Sequence, residues 1–248
     1  MSTISPGRAL FARYAFPPNE LGYCGPDGGD AAELGAHAKE FDGAWPYLTA
    51  IAEWAKDSDP LDEHVVRSYW VGGPALSTVD PGSLLARLRA AFRGQVTGLL
   101  DEVSPTPHVL AHHSFHVFVV YPWIRFLSHH EATAIRVMQA CRIRWGTVES
   151  VVGEQVTVTS QPLIVDEGRL TLGQPRPELV RWKKGELSLG PVPATGATVS
   201  MHWDWVCGTL TEDEAAALAS ATRATLALVN EARPESVPAV AGVEQTGG

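Results

Sequence analysis

The chain has 248 residues, 45% hydrophobic and 19% charged, with a formal net charge of −9 at pH 7 and a pI near 5.4. An acidic surface is not drawn to phosphate backbones or anionic headgroups, which argues against nucleic acid and membrane as partners. No apolar run approaches the roughly 20 residues that cross a bilayer, and residues 1–8 lack a hydrophobic signal core. A cytoplasmic protein is expected, and its three widely spaced cysteines, Cys24, Cys141 and Cys207, are expected as free thiols.

In chain order, residues 11–26 combine aromatic residues, Pro17-Pro18 and a Gly-Tyr-Cys-Gly-Pro turn, which predicts a shaped loop. Helices are predicted over residues 41–56, 61–70, 81–103 and 108–121. In the third, Leu84, Leu85, Leu88, Ala91, Phe92, Val96 and Leu99 recur at helical spacing and mark a core face. From Arg142 the period changes. Residues 142–152 and 155–160 are rich in Val, Ile, Thr and Trp and meet at Gly153-Glu154, a hairpin signature. Short strands follow over 169–172, 178–182 and 197–202, with turns at 166–168 and 183–185. Thr211 and Glu214 form a capping box that starts a helix with an apolar stripe through Leu218, Leu226 and Val229. The expected class is α+β: an α-helical domain over 1–139, a small OB-like β-barrel with a C-terminal helix over 140–232, and a flexible tail over 233–248.

Two segments resemble a known family. Cys141-Arg-Ile-Arg-Trp-Gly-Thr-Val148 and the stretch from Val199 to Ala215 match the HypC/HupF hydrogenase-maturation chaperones at Cys141, Gly146, Val148, Val199, His202, Glu212, Glu214 and Ala215. The family's proline stands as Trp145. Its cysteine normally follows the initiator methionine, whereas Cys141 is internal and its nitrogen cannot serve as an amine ligand. Over the full length, Phe11-Ala-Arg-Tyr14 and residues 141–146 also resemble an uncharacterised family of proteins associated with hydrogenase loci. The resemblance implies a HypC-like barrel in which Cys141 and His202 approach one another. It further implies a non-enzymatic accessory role: transient carriage of iron, with cyanide and carbonyl ligands, on the Cys141 thiolate. The implied partners are a [NiFe]-hydrogenase large-subunit precursor and a HypD-like scaffold protein.

Read as residues alone, Cys141 has Arg136, Arg142 and Arg144 nearby, whose charges would favour the thiolate. A small buried hydrophobe is the alternative. His202 offers a ligand or a backbone hydrogen bond, with Asp204 placed to order it. Cys24, between small neighbours, could be approached closely, or could belong to a proline-rich cap. His112 and His116 are four apart, so a helix would present both to one metal, and His113 lies between them. No acidic residue falls between them, so zinc-hydrolase chemistry is not supported. A metal-dependent enzyme or redox protein on this histidine helix is the second reading, and a metal-free interaction module the third. His129 and His130 are expected in solvent, and Cys207 as a structural residue.

Overall fold

Ser5 and Pro6 begin the first helix: the serine side chain accepts from the Arg8 amide, and proline supplies a φ suited to the first turn. In this computed structural model, which describes residues 5–27, 31, 33–56 and 59–233, α1 covers Pro6–Glu20. The loop expected over 11–26 is therefore helical as far as Glu20, and only residues 21–26 turn. The helices α2 (Trp45–Ala55), α3 (Glu63–Trp70) and α4 (Pro81–Ala91) follow. The helix expected over 81–103 ends early, because the chain turns after Phe92 through Gly94 at φ +81°. Its predicted core residues Leu84, Leu85 and Leu88 are buried nonetheless.

The single helix expected over 108–121 is also corrected. It is one turn of α-helix, α5 (His113–Phe115), running into a π-helical turn over His116–Val120. That switch changes which histidines share a face, since a π-turn widens the helical repeat. Helix α6 (Glu131–Cys141) comes next, and Cys141 ends it rather than opening a strand.

The sheet-rich part begins with β1 (Arg144–Val152) and β2 (Gln155–Ser160), paired antiparallel through the expected turn at Gly153. Gly146 in β1 is required by close approach: a Cβ there would sit 2.4 Å from the Thr159 carbonyl oxygen. A separate hairpin joins β3 (Leu163–Asp166) to β4 (Arg169–Leu172), with Glu167 and Gly168 at positive φ in its turn. The remaining strands are β5 (Arg176–Arg181), the short pair β6 (Lys183–Lys184) and β7 (Leu187–Ser188), β8 (Thr198–His202) and β9 (Trp205–Thr209). Strands β1, β2, β5, β9 and β8 form a closed ring in that order, with β8 pairing back onto β1. All joints are antiparallel except β5 to β9, where Arg181 lies opposite Trp205 in parallel. Val148, Val156, Val158, Val180, Val199 and Met201 fill the interior.

Thr211 and Glu214 cap α7 (Glu212–Ala232) reciprocally, as the sequence predicts. The helix lies against α5, the π-turn and β4. A second, larger apolar core runs from Phe11, Leu48 and Val66 through Phe115 and Val229 to Leu163, Leu170 and Trp205. The chain is thus mixed α+β, with an N-terminal helical region, a sheet-rich part and a C-terminal helix, and one core crosses all three. Among the described residues no helix is long and apolar enough to cross a membrane. The tail expected from residue 233 falls outside the described residues, beyond its first position.

Candidate metal centre

The end of α6, the β8–β9 turn and α5 converge on one point. Cys141 Sγ, a ring nitrogen of His202 and a ring nitrogen of His113 all lie within 4.8 Å of one another, and all three residues are buried. Local pairing explains the meeting. Strand β8 sets Met201 opposite Arg144, and the Trp203 amide donates to the Ala140 carbonyl at 2.8 Å. The last turn of α6 is thereby fastened to the turn that carries His202. Trp203 sits there at φ +52°, a conformation that costs a bulky residue on the order of 1 kcal/mol.

His202 is oriented by α1. Its Nδ1 lies 2.6 Å from the Tyr14 carbonyl oxygen, which can only accept, so Nδ1 carries the proton and Nε2 the lone pair. Nε2 is buried and has no hydrogen-bond partner among the described residues. The Tyr14 carbonyl is available because Pro18, four residues on, has no N–H to donate back along the helix. The Pro17-Pro18 pair therefore sits inside a helix and frees the group that fixes the histidine tautomer.

His113 stands between two partners. Its Nδ1 is 3.0 Å from Tyr69 Oη and its Nε2 is 3.0 Å from the Cys141 carbonyl oxygen. Tyr69 Oη also lies 2.9 Å from the Gly43 carbonyl. In one tautomer Nε2–H donates to Cys141. In the other, Nδ1–H donates to Tyr69, the tyrosine donates to Gly43, and the Nε2 lone pair faces the Cys141 carbonyl oxygen, an acceptor opposite an acceptor that a bound cation would relieve. The second arrangement is the hydrogen-bonded support that metal-bound histidines usually have.

These residues border a cavity of about 30 Å³, room for an ion or a water-sized group. Its wall also includes Cys24, His116, Tyr23, Trp70 and Tyr121. Four of the five residues expected as ligands, Cys24, His116, Cys141 and His202, thus share one cavity. His112 does not: its Nδ1 accepts from the Ser114 amide and pairs with Ser114 Oγ, which in turn meets Thr225 on α7. The pairing of His112 with His116 on one helix face is corrected for that reason. His113 takes the place expected of His112, and nothing in the local sequence distinguishes it from its neighbours. His129 and His130 are exposed, and Cys207 is buried away from the cavity.

The electrostatics also differ from expectation. Burial pushes the Cys141 thiol well above its ordinary pKa, and the arginines do not offset this. Arg142 reaches the Gln139 side chain and the Gln161 carbonyl, Arg144 is engaged by Glu178 and backbone carbonyls, and Arg136 is exposed on α6. Asp204 pairs with Arg181 and leaves His202 to Tyr14. Burial likewise lowers His113 to about 4 and holds His202 well below the imidazole range. The pocket is a neutral, desolvated donor set that a cation would complete, expelling the thiol proton as it binds. One sulfur and two nitrogens, with no carboxylate among the described residues of the wall, suit a soft or borderline transition metal and not calcium or magnesium. Three protein ligands leave a coordination position open.

A family described as "Family of unknown function (DUF6390)" matches residues 3–236. The chain belongs to this family. No curated protein and no solved structure matches it. The family spans α1 through α7, so all the residues of the cavity lie within its bounds.

Proposed function

We propose that this DUF6390 protein is a non-enzymatic accessory protein that carries a soft metal ion between Cys141 and His202. The cargo would be the iron fragment of a [NiFe]-hydrogenase active site, delivered in the cytoplasm to the large-subunit precursor with a HypD-like scaffold as the earlier partner. One observation carries the reading: the two residues singled out by the HypC resemblance bring their ligand atoms together in a buried pocket, with His202 Nε2 making no hydrogen bond among the described residues. The closed ring with its single parallel joint is consistent with a barrel of OB-like, HypC-like type. Thiolate and imidazole are suitable donors for low-spin iron, and a desolvated pocket slows loss of its small diatomic ligands to water or oxygen.

Infrared spectroscopy of protein purified without oxygen, from a host assembling its hydrogenase, tests this. Cyanide and carbonyl stretching bands are expected in the parent and absent in Cys141→Ser. Well-folded parent without such bands, under conditions that load a HypC chaperone, would remove the iron fragment as cargo.

A further inference from the structure

The cavity holds a second thiol whose position differs from that of the first. Cys141 belongs to the cluster of three ligand atoms within 4.8 Å, whereas Cys24 lines the same cavity without joining that cluster. Cys24 is carried on residues 21–26, between Gly22 at φ +72° and Gly25 at φ +83°, where glycine permits backbone that other residues resist. The Asn19 side-chain amide donates to the carbonyls of Cys24 and Pro26 at 2.9 and 2.7 Å, tying the turn to the end of α1. Tyr23 and Cys24 line the cavity from this turn, and the turn also meets solvent: Leu21 and Tyr23 are 51% and 47% exposed. The Tyr23 ring rests on Trp203 at 4.3 Å, beside His202. The cavity is only about 30 Å³, so an iron carrying diatomic ligands occupies it only with part of the wall displaced. The turn bearing Cys24 and residues 41–44 are wall segments outside helix and strand; the second is held by Tyr69, which donates to the Gly43 carbonyl, and by Phe41 against Phe11, whereas the first carries the exposed Leu21 and Tyr23.

We propose that Cys24 is the exchange thiol of this site, the ligand that first takes the metal from outside and last holds it on departure, while His113, Cys141 and His202 form the resting site. The proposal rests on the metal-site reading above. In the inward step, Cys24 displaces a water ligand of the incoming metal and loses its thiol proton to solvent as its sulfur–metal bond forms. His113 and His202 then displace water ligands of the metal, and the Cys141 proton passes through solvent to Cys24 as the Cys141–metal bond forms and the Cys24–metal bond breaks. The metal's oxidation state is unchanged throughout, and departure runs the same steps backwards.

Zinc alone is a sufficient probe. The full-length chain, loaded with one equivalent of zinc, is mixed with a chromophoric chelator in stopped flow beside Cys24→Ser, Cys24→Ala and Cys141→Ser. Both Cys24 variants are expected to keep one zinc with affinity within about threefold of the parent, and to release it at least about tenfold more slowly. Unchanged release rates would make Cys24 a bystander, and loss of zinc from both variants would make it a permanent ligand; either result overturns the proposal. Zinc retained undiminished by Cys141→Ser would instead overturn the underlying site, whatever Cys24 does.

Discussion

Acidification of the metal-free protein from pH 7 to pH 4.5 is expected to unfold it, with the urea midpoint falling steadily once the pH drops below about 6.5. Burial lowers His112 and His116 to about 3 and His113 to about 4, and it also holds His202 far below its ordinary value. In the unfolded chain these imidazoles bind protons near pH 6.5; in the folded chain they stay neutral until far lower. The unfolded state therefore takes up more protons across this window. Their contribution to stability is complete above pH 6.5 and drains away toward the folded values. At pH 4.5 each of the three residues with a stated value removes roughly 2 kcal/mol, and His202 acts in the same direction. A sum of roughly 6 kcal/mol or more is comparable with the whole stability of a typical domain. Glu20, lowered by Lys184 and Trp205 in spite of partial burial, acts only at still lower pH. Tryptophan fluorescence and near-ultraviolet circular dichroism across urea gradients measure the effect. A urea midpoint constant between pH 7 and pH 5 would contradict the burial of these four rings.

Arg144→Ala is expected to cost about 3–5 kcal/mol, because it removes a buried guanidinium from part-buried Glu178 and leaves several carbonyls unpaired at once. The Arg144 side chain is 4% exposed and meets Glu178 through Nε at 3.1 and 3.2 Å. Its other nitrogens donate to the carbonyls of Gln139, Ala140 and Trp203. It therefore joins the end of α6, strand β5 and the β8–β9 turn, the elements that bring Cys141 beside His202. Loss of stability and loss of metal affinity should appear together in this variant, by urea denaturation and zinc titration respectively. A stability change below about 1 kcal/mol would show that the Arg144 network does not hold this junction.

Features set by neighbours in sequence were legible, and those set by distant contacts were not. The hairpin at Gly153, the turn at Gly168 and the Thr211–Glu214 capping box depend on residues a few positions apart, and each lies where the pattern puts it. Helix α1 was obscured by Pro17 and Pro18, which normally end helices, although Ser5-Pro6 carries the signature of a helix start. The histidine run has uniform helical spacing in sequence, but its π-turn follows from packing against α7 and Tyr47, which no local pattern encodes. Cys141 and His202 were visible through a family resemblance. His113 was not separable from His112, because what separates them is the opposite placement of Tyr69 and Ser114. The arginines beside Cys141 suggested an activated thiolate; Arg142 and Arg144 are instead occupied by Glu178 and by main-chain carbonyls, and Arg136 is exposed. That pattern leaves the pocket a cluster of neutral donors and not a reactive anionic centre.

The central claim, that Cys141 and His202 hold a metal, is tested most directly by titrating the reduced full-length chain with cobalt(II) under anaerobic conditions, beside Cys141→Ser and His202→Ala. One equivalent should bind with a thiolate-to-cobalt charge-transfer band in the near ultraviolet, absent in Cys141→Ser and weakened with reduced affinity in His202→Ala. Folded parent protein that binds no cobalt, or a charge-transfer band that persists unchanged in Cys141→Ser, would contradict it.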